Sequence, residues 1–186
     1  MASLRIRLPR GRRRPRVAPP PPPSFQHSLL IKAAPTRVVS AFFDPEALSY
    51  WWQAVRSVTI PRPLGIYAIQ WEPTPFSDEI LGPLGGAFHG TIVDYHSAHG
   101  FAVGDAFWLP PAGDPIGPMA LDVTCTLDGP ACRLRVSQSG YEESDRWRHY
   151  YEVITPGWYS SLAALKQYLE ERPGAAEREA RKSRRA

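Results

Sequence analysis

The chain has 186 residues, 43% of them hydrophobic, with 21 prolines and a formal net charge of +4. That length suits one domain with tails, and no stretch approaches the roughly 18 consecutive apolar residues that read as a membrane-spanning helix. Of the 22 Lys and Arg, seven fall in residues 1–16 and six in residues 172–186; between these ends nine remain, against 16 of the 18 acids. A folded region of that sign is a poor binder of the phosphate backbone, so the basic overall charge argues for no specific nucleic-acid partner.

Residues 1–23 combine arginines with a run, Ala18 followed by five prolines to Pro23, which favours an extended polyproline segment over a packed element. Proline stands where a secretory signal needs an apolar run. The segment is expected to be disordered, as is the basic tail at 172–186, leaving residues 24–171 as the folded domain and the cytoplasm as the expected location.

The predicted elements begin with a strand over Ser24–Ala33. Pro35 then opens a short helix that puts Val38, Val39, Phe42 and Phe43 on one face. Asp44-Pro45-Glu46 signals a second helix start: a capping oxygen, a proline with preset φ and an acid at the positive dipole end. That helix carries Leu48, Tyr50, Trp51 and Trp52. Six strands are predicted next, over Val55–Ile60, Leu64–Glu72, Gly86–Tyr95, Gly100–Leu109, Met119–Leu127 and Arg133–Tyr141. Leu121, Val123, Cys125 and Leu127 alternate with Asp122, Thr124 and Thr126, the pattern of an antiparallel sheet with one face in water. Cys125 and Cys132 flank the turn at Gly129-Pro130, offset diagonally across the hairpin; two buried thiols in a reducing compartment is the expectation. Thr155-Pro156 reads as a capped start for a final helix to Glu171, with Trp158, Leu162, Leu165 and Leu169 as its apolar stripe.

The connections carry more functional information than the strands. Pro61–Pro63, His96–His99 and Asp128–Ala131 are short, whereas Pro73–Gly85 and Pro110–Pro118 are long and rich in proline and glycine. In a meander, successive turns alternate between the two ends of the sheet, so the long loops fall together at one end. The solvated link Glu142–Ile154 joins them there. Long loops crowded at one end of a closed scaffold form a mouth.

The order of one strand, two short helices, six antiparallel strands and a long helix resembles the START-related helix-grip superfamily (SRPBCC). The run Ile31–Trp52, IKAAPTRVVSAFFDPEALSYWW, is similar to that superfamily's opening. Gly140-Tyr141, followed by Gly157-Trp158 and Ser-Leu-x-x-Leu-Lys-x-Tyr-Leu-Glu, is similar to its ending. Together they point to the subgroup of heat-shock-protein ATPase activator homologues (AHSA-like), over roughly residues 25–171. The resemblance implies an α+β helix-grip fold, a curved antiparallel sheet wrapped around a long C-terminal helix. It also implies a cavity between helix and sheet. The fold hosts ligand carriers, cyclases and chaperone partners alike, so function does not travel with it.

The aromatic residues supply the candidate site. Trp51, Trp52, Tyr67, Trp71, Phe88, Phe107, Trp108 and Trp158 fall on predicted elements, as walls for a flat or greasy ligand or as plain core. Leu162, one turn beyond Trp158, extends that wall. His89 is a candidate polar anchor on its strand. Asp105 shares parity with Phe101, Val103 and Phe107 and is a candidate inward-facing acid. Gln138 shares parity with Leu134 and Val136 and is the better candidate for a neutral hydrogen-bonding anchor. His96 and His99 read as a solvated turn, and no cofactor or metal constellation is expected. Three readings follow: binding of a hydrophobic or aromatic small molecule, a cyclase- or dehydratase-type enzyme using the same cavity without metal, and, from the resemblance alone, a partner of a heat-shock ATPase. Non-catalytic binding is the leading one.

Overall fold

The computed structural model describes residues 24–140 and 144–172. The Arg/Pro-rich segment at 1–23, the tail beyond Arg172 and the end of the last expected strand at Tyr141 lie outside the described residues.

Strand β1 (Phe25–Ile31) leads into helix α1 (Pro35–Ser40) and helix α2 (Pro45–Trp51). The second start is built as its residues predict: Asp44 Oδ1 accepts the Glu46 backbone N–H at 2.9 Å, and Pro45 takes the first turn. Helix α1 is shorter than its apolar pattern suggested. It ends at Ser40, and Phe42 and Phe43 reach the core from the turn beyond it.

Strands β2 (Arg56–Thr59), β3 (Ile66–Trp71), β6 (Gly86–His96), β7 (Gly100–Leu109), β8 (Ile116–Asp128) and β9 (Ala131–Ser139) form an antiparallel meander, and β1 closes it by pairing with β9. The order is β1-β9-β8-β7-β6-β3-β2, so α1 and α2 carry the chain from one edge of the sheet to the other. A two-stranded ribbon, β4 (Ser77–Asp78) with β5 (Gly82–Pro83), sits inside the first long loop, where no strand was expected. Cys125 lies opposite Leu134 and Cys132 opposite Leu127. The two thiols are therefore diagonal neighbours, buried and unbridged.

Helix α3 (Asp145–Glu171) packs against the concave face. Trp158, Leu162, Leu165 and Leu169 are all buried, as the stripe predicts, and each leucine contributes roughly 1.5–3 kcal/mol by leaving water. The helix begins eleven residues earlier than Thr155-Pro156 suggested. Its cap is Ser144, whose Oγ accepts the Trp147 backbone N–H at 3.4 Å. From Asp145 on, the stretch expected as a solvated link is thus helix, with Trp147, Tyr150 and Tyr151 buried. Pro156 lies within it, on an exposed side with Glu152 and Tyr159, and Thr155 Oγ1 donates to the Tyr151 carbonyl at 2.6 Å instead of capping. Burial of three further aromatic rings outweighs the one backbone bond the proline removes. Among the described residues no helix is long and apolar enough to cross a membrane.

Candidate functional site

Between α3 and the sheet, at the end holding the Pro73–Gly85 loop, lies a pocket of about 510 Å3. The sheet contributes Trp71, Phe88, Trp108 and Gln138. Helix α3 contributes Tyr150, Val153, Ile154 and Trp158, the residue after α2 is Trp52, and the loop supplies Leu81 and Leu84. Of these, Phe88, Trp108, Gln138, Tyr150 and Trp158 are buried, while Trp52 and Trp71 are half-buried and stand with exposed Glu72 nearer the solvent.

Pleating explains the wall. Along β3, Tyr67, Ile69 and Trp71 point to the concave side. Phe88 pairs with both Ile69 and Trp108 across the neighbouring strands, so three apolar side chains form one row. Three of the four indole N–H groups around the pocket are tied to the protein. Trp71 Nε1 donates to the Trp52 carbonyl at 2.7 Å, Trp108 Nε1 to the Gly85 carbonyl at 2.8 Å, and Trp158 Nε1 to Gln138 Oε1 at 2.8 Å. With their polar edges held, these rings present hydrocarbon and π surface to the pocket.

Gln138 is the one buried polar or charged residue, at 2% exposure, among the described residues. Both of its amide hydrogens are engaged: Nε2 donates to Tyr150 Oη at 2.9 Å and contacts Met119 Sδ. Its Oε1 receives Trp158 and keeps a second lone pair. Burial pushes the Tyr150 hydroxyl well above the usual phenol range, so it stays protonated and neutral. The inner end of the pocket is therefore a neutral polar pole in an aromatic wall.

The two long loops are fastened to the part of α3 that the sequence reading missed. Arg146 donates to the Asp114 and Pro115 carbonyls of the β7–β8 loop. His149 Nε2 lies 2.8 Å from Asp78 Oδ2 in the ribbon, with Glu152 Oε2 3.4 Å from its Nδ1. Asp78 Oδ1 also accepts the backbone N–H groups of Ile80 and Leu81. These contacts, the His149 hydrogen bond foremost, hold Asp78 below its ordinary value, and Asp78 in turn raises His149.

The twelve candidate residues divide cleanly. Trp52, Trp71, Phe88, Trp108, Gln138 and Trp158 come together around the pocket. Trp51 lies behind it: its ring stacks on Trp52 at 4.8 Å between centroids, and its Nε1 donates to the Ala41 carbonyl. Tyr67 points inward but is sealed among Phe43, Phe88 and Phe101, and its hydroxyl finds no partner. Leu162 is core; Ser161 beside it reaches the pocket instead.

His89, Asp105 and Phe107 face the other way, on the convex side. The expectation for Asp105 failed because β7 carries one extra residue between Val103 and Ala106, a β-bulge relative to both neighbouring strands, with Asp105 at φ 47°. Beyond that point the parity reverses: Ala106 and Trp108 are buried, whereas Asp105 is exposed and Phe107 stacks on His89 outside the sheet. His89 is outward simply by alternation with buried Phe88 and Gly90.

Tyr150, Val153 and Ile154 were not anticipated at the site. Their signal was present, since Trp147, Tyr150, Tyr151 and Ile154 continue the Trp158 stripe backwards at spacings of three and four, but Pro156 was read as its start. Among the described residues no group of three or more His, Cys, Asp or Glu is placed to hold a metal ion.

No protein-family model and no curated protein matches the chain. Solved structures do. Protein MLL2253 from Mesorhizobium loti superposes with a TM-score of 0.61 at 18% identity, over 81% of this chain and 99% of its own. Protein CV1439 from Chromobacterium violaceum gives 0.58 at 21% identity, over 82% and 99%. The Aha1 dimer from Colwellia psychrerythraea gives 0.55 at 16% identity, over 79% and 96%. Likeness at these identities shows the fold alone, and that fold is the helix-grip arrangement described above.

Proposed function

We propose that the protein binds one apolar or aromatic small molecule in the pocket between α3 and the sheet. The observation that carries this reading is a recess of about 510 Å3 in which three of the four lining indoles, Trp71, Trp108 and Trp158, have their N–H groups bonded within the protein, and whose fully buried polar residue is the neutral Gln138. Burial of ligand surface, at roughly 25 cal/mol per Å2, supplies the affinity, and the Gln138 lone pair supplies orientation. The same features favour binding over cyclase or dehydratase chemistry. Tyr150, the buried titratable group of the pocket, is held in its protonated form and is a poor base. A heat-shock ATPase partnership has no residue among those described that singles it out.

The test is titration of the full chain with Nile red, an uncharged dye that brightens and shifts to the blue in apolar surroundings. Saturable one-to-one binding is expected. Ser161→Phe, which fills the pocket from a half-buried helix position, should weaken it at least about tenfold while leaving the circular dichroism spectrum unchanged. Absence of saturable binding, or equal binding by the variant, would remove the pocket from consideration.

A further inference from the structure

The pocket's charge pattern narrows the ligand further, an inference that rests on the binding reading above. No Lys, Arg or His lines the pocket among the described residues, and Glu72 is its one carboxylate. Two basic groups at the start of α3 are committed elsewhere: Arg146 to the Asp114 and Pro115 carbonyls, and His149 to Asp78. An anionic head group would meet no counter-charge among the lining residues, of which Glu72 is the one acid. Between the basic ends of the chain, moreover, acids outnumber Lys and Arg by sixteen to nine.

The rim offers a cation more. Trp52 and Trp71 stand half-buried next to Glu72, with their ring planes at 71° and centroids 5.2 Å apart, two walls of a corner. Trp51 covers one face of Trp52 at an interplanar angle of 11°, while Trp52 itself lines the pocket. Trp158 closes on Trp52 at 4.9 Å. The negative π faces of tryptophan attract an ammonium group within about 6 Å. A cation held here keeps part of its hydration, because the rim residues are only half-buried, and thereby avoids the large cost of full desolvation.

We propose that the pocket selects a monovalent organic cation with an apolar body: a quaternary or protonated amine whose head sits at the Trp52–Trp71–Glu72 corner. Its hydrocarbon or aromatic body runs inward between Phe88, Trp108 and Trp158 to the Gln138 pole. Fatty acids and other carboxylates are the class this arrangement rejects.

Three probes sharing one body separate the charge from the shape: 2-naphthylmethyl-trimethylammonium, 2-naphthylmethanol and 2-naphthylacetate, each titrated calorimetrically into the full chain. The ammonium should bind about tenfold more tightly than the alcohol, and the carboxylate should bind most weakly. Glu72→Gln should weaken the ammonium about threefold and leave the alcohol unchanged. An alcohol or carboxylate that binds as tightly as the ammonium overturns the proposal, and so does silence from all three probes while Nile red still binds. Silence from the probes and from Nile red together overturns the pocket reading itself.

Discussion

Replacing Gln138 by leucine tests the polar pole. The side chains are close in volume, so the pocket keeps its shape, but three contacts disappear: the bond from Trp158 Nε1, the bond to Tyr150 Oη and the contact with Met119 Sδ. Trp158 and Tyr150 are 6% and 4% exposed, so Trp158 Nε1 is left buried without its acceptor, while Tyr150 Oη keeps only its 3.7 Å bond to Met119 Sδ. A lost or weakened partner of this kind costs roughly 1–3 kcal/mol, and two cost roughly 2–6. Leucine recovers roughly 1.5–3 kcal/mol by burying an apolar side chain there. The net expectation is a loss of about 2 kcal/mol, which for a domain of this size lowers the melting temperature by about 4–8 °C. Urea unfolding followed by tryptophan fluorescence measures it, and an unchanged m-value would show that the denatured state is not responsible. A double-mutant cycle with Trp158→Phe isolates the bond, with an expected coupling of about 1 kcal/mol. A Gln138→Leu protein as stable as the parent, or a coupling of zero, would refute the view that Gln138 holds the α3 aromatics in place.

Two further outcomes follow from buried and partly buried polar groups. Tyr67→Phe removes a hydroxyl that is fully buried without a partner and whose burial raises its pKa, so the variant should be more stable by about 1 kcal/mol in urea unfolding; a loss of stability would mean the hydroxyl has a partner such as water or ligand. The His149–Asp78 contact should make loop closure depend on pH. Because His149 is raised in the fold, its contribution is whole below its ordinary value of 6.5 and fades as pH climbs through the raised value. Because Asp78 is lowered, its contribution is whole above its ordinary value of 3.8 and fades as pH falls through the lowered one. The contact is therefore strongest between these two ordinary values, where both groups are charged, with Glu152 also beside the imidazole. Hydrogen exchange of the Ile80 and Leu81 amides, corrected for intrinsic rate, should show more opening at pH 9 than at pH 5.5. That difference should vanish in Asp78→Asn.

Local sequence carries the order of the main-sheet strands and helices, the cap at Asp44, the stripe of α3, the end of the sheet where the long loops gather, and six of the residues that line the pocket there. Each of these rests on a local rule: a proline and an acid in a first turn, a repeat of three and four, a repeat of two, or turn lengths alternating between sheet ends. Tertiary structure decided what local rules leave open. A period of two holds only along an unbroken pleat, so one extra residue in β7 sent Asp105 and Phe107 outside and brought Trp108 in. A proline after a threonine has the signature of a helix start, yet burial of Trp147, Tyr150 and Tyr151 carried the helix back through it. Gln138 could be placed on the inner face from its strand. That its amide is clasped by Trp158 and Tyr150, from a helix that follows it in the chain, is a matter of packing between distant segments, which no periodicity encodes.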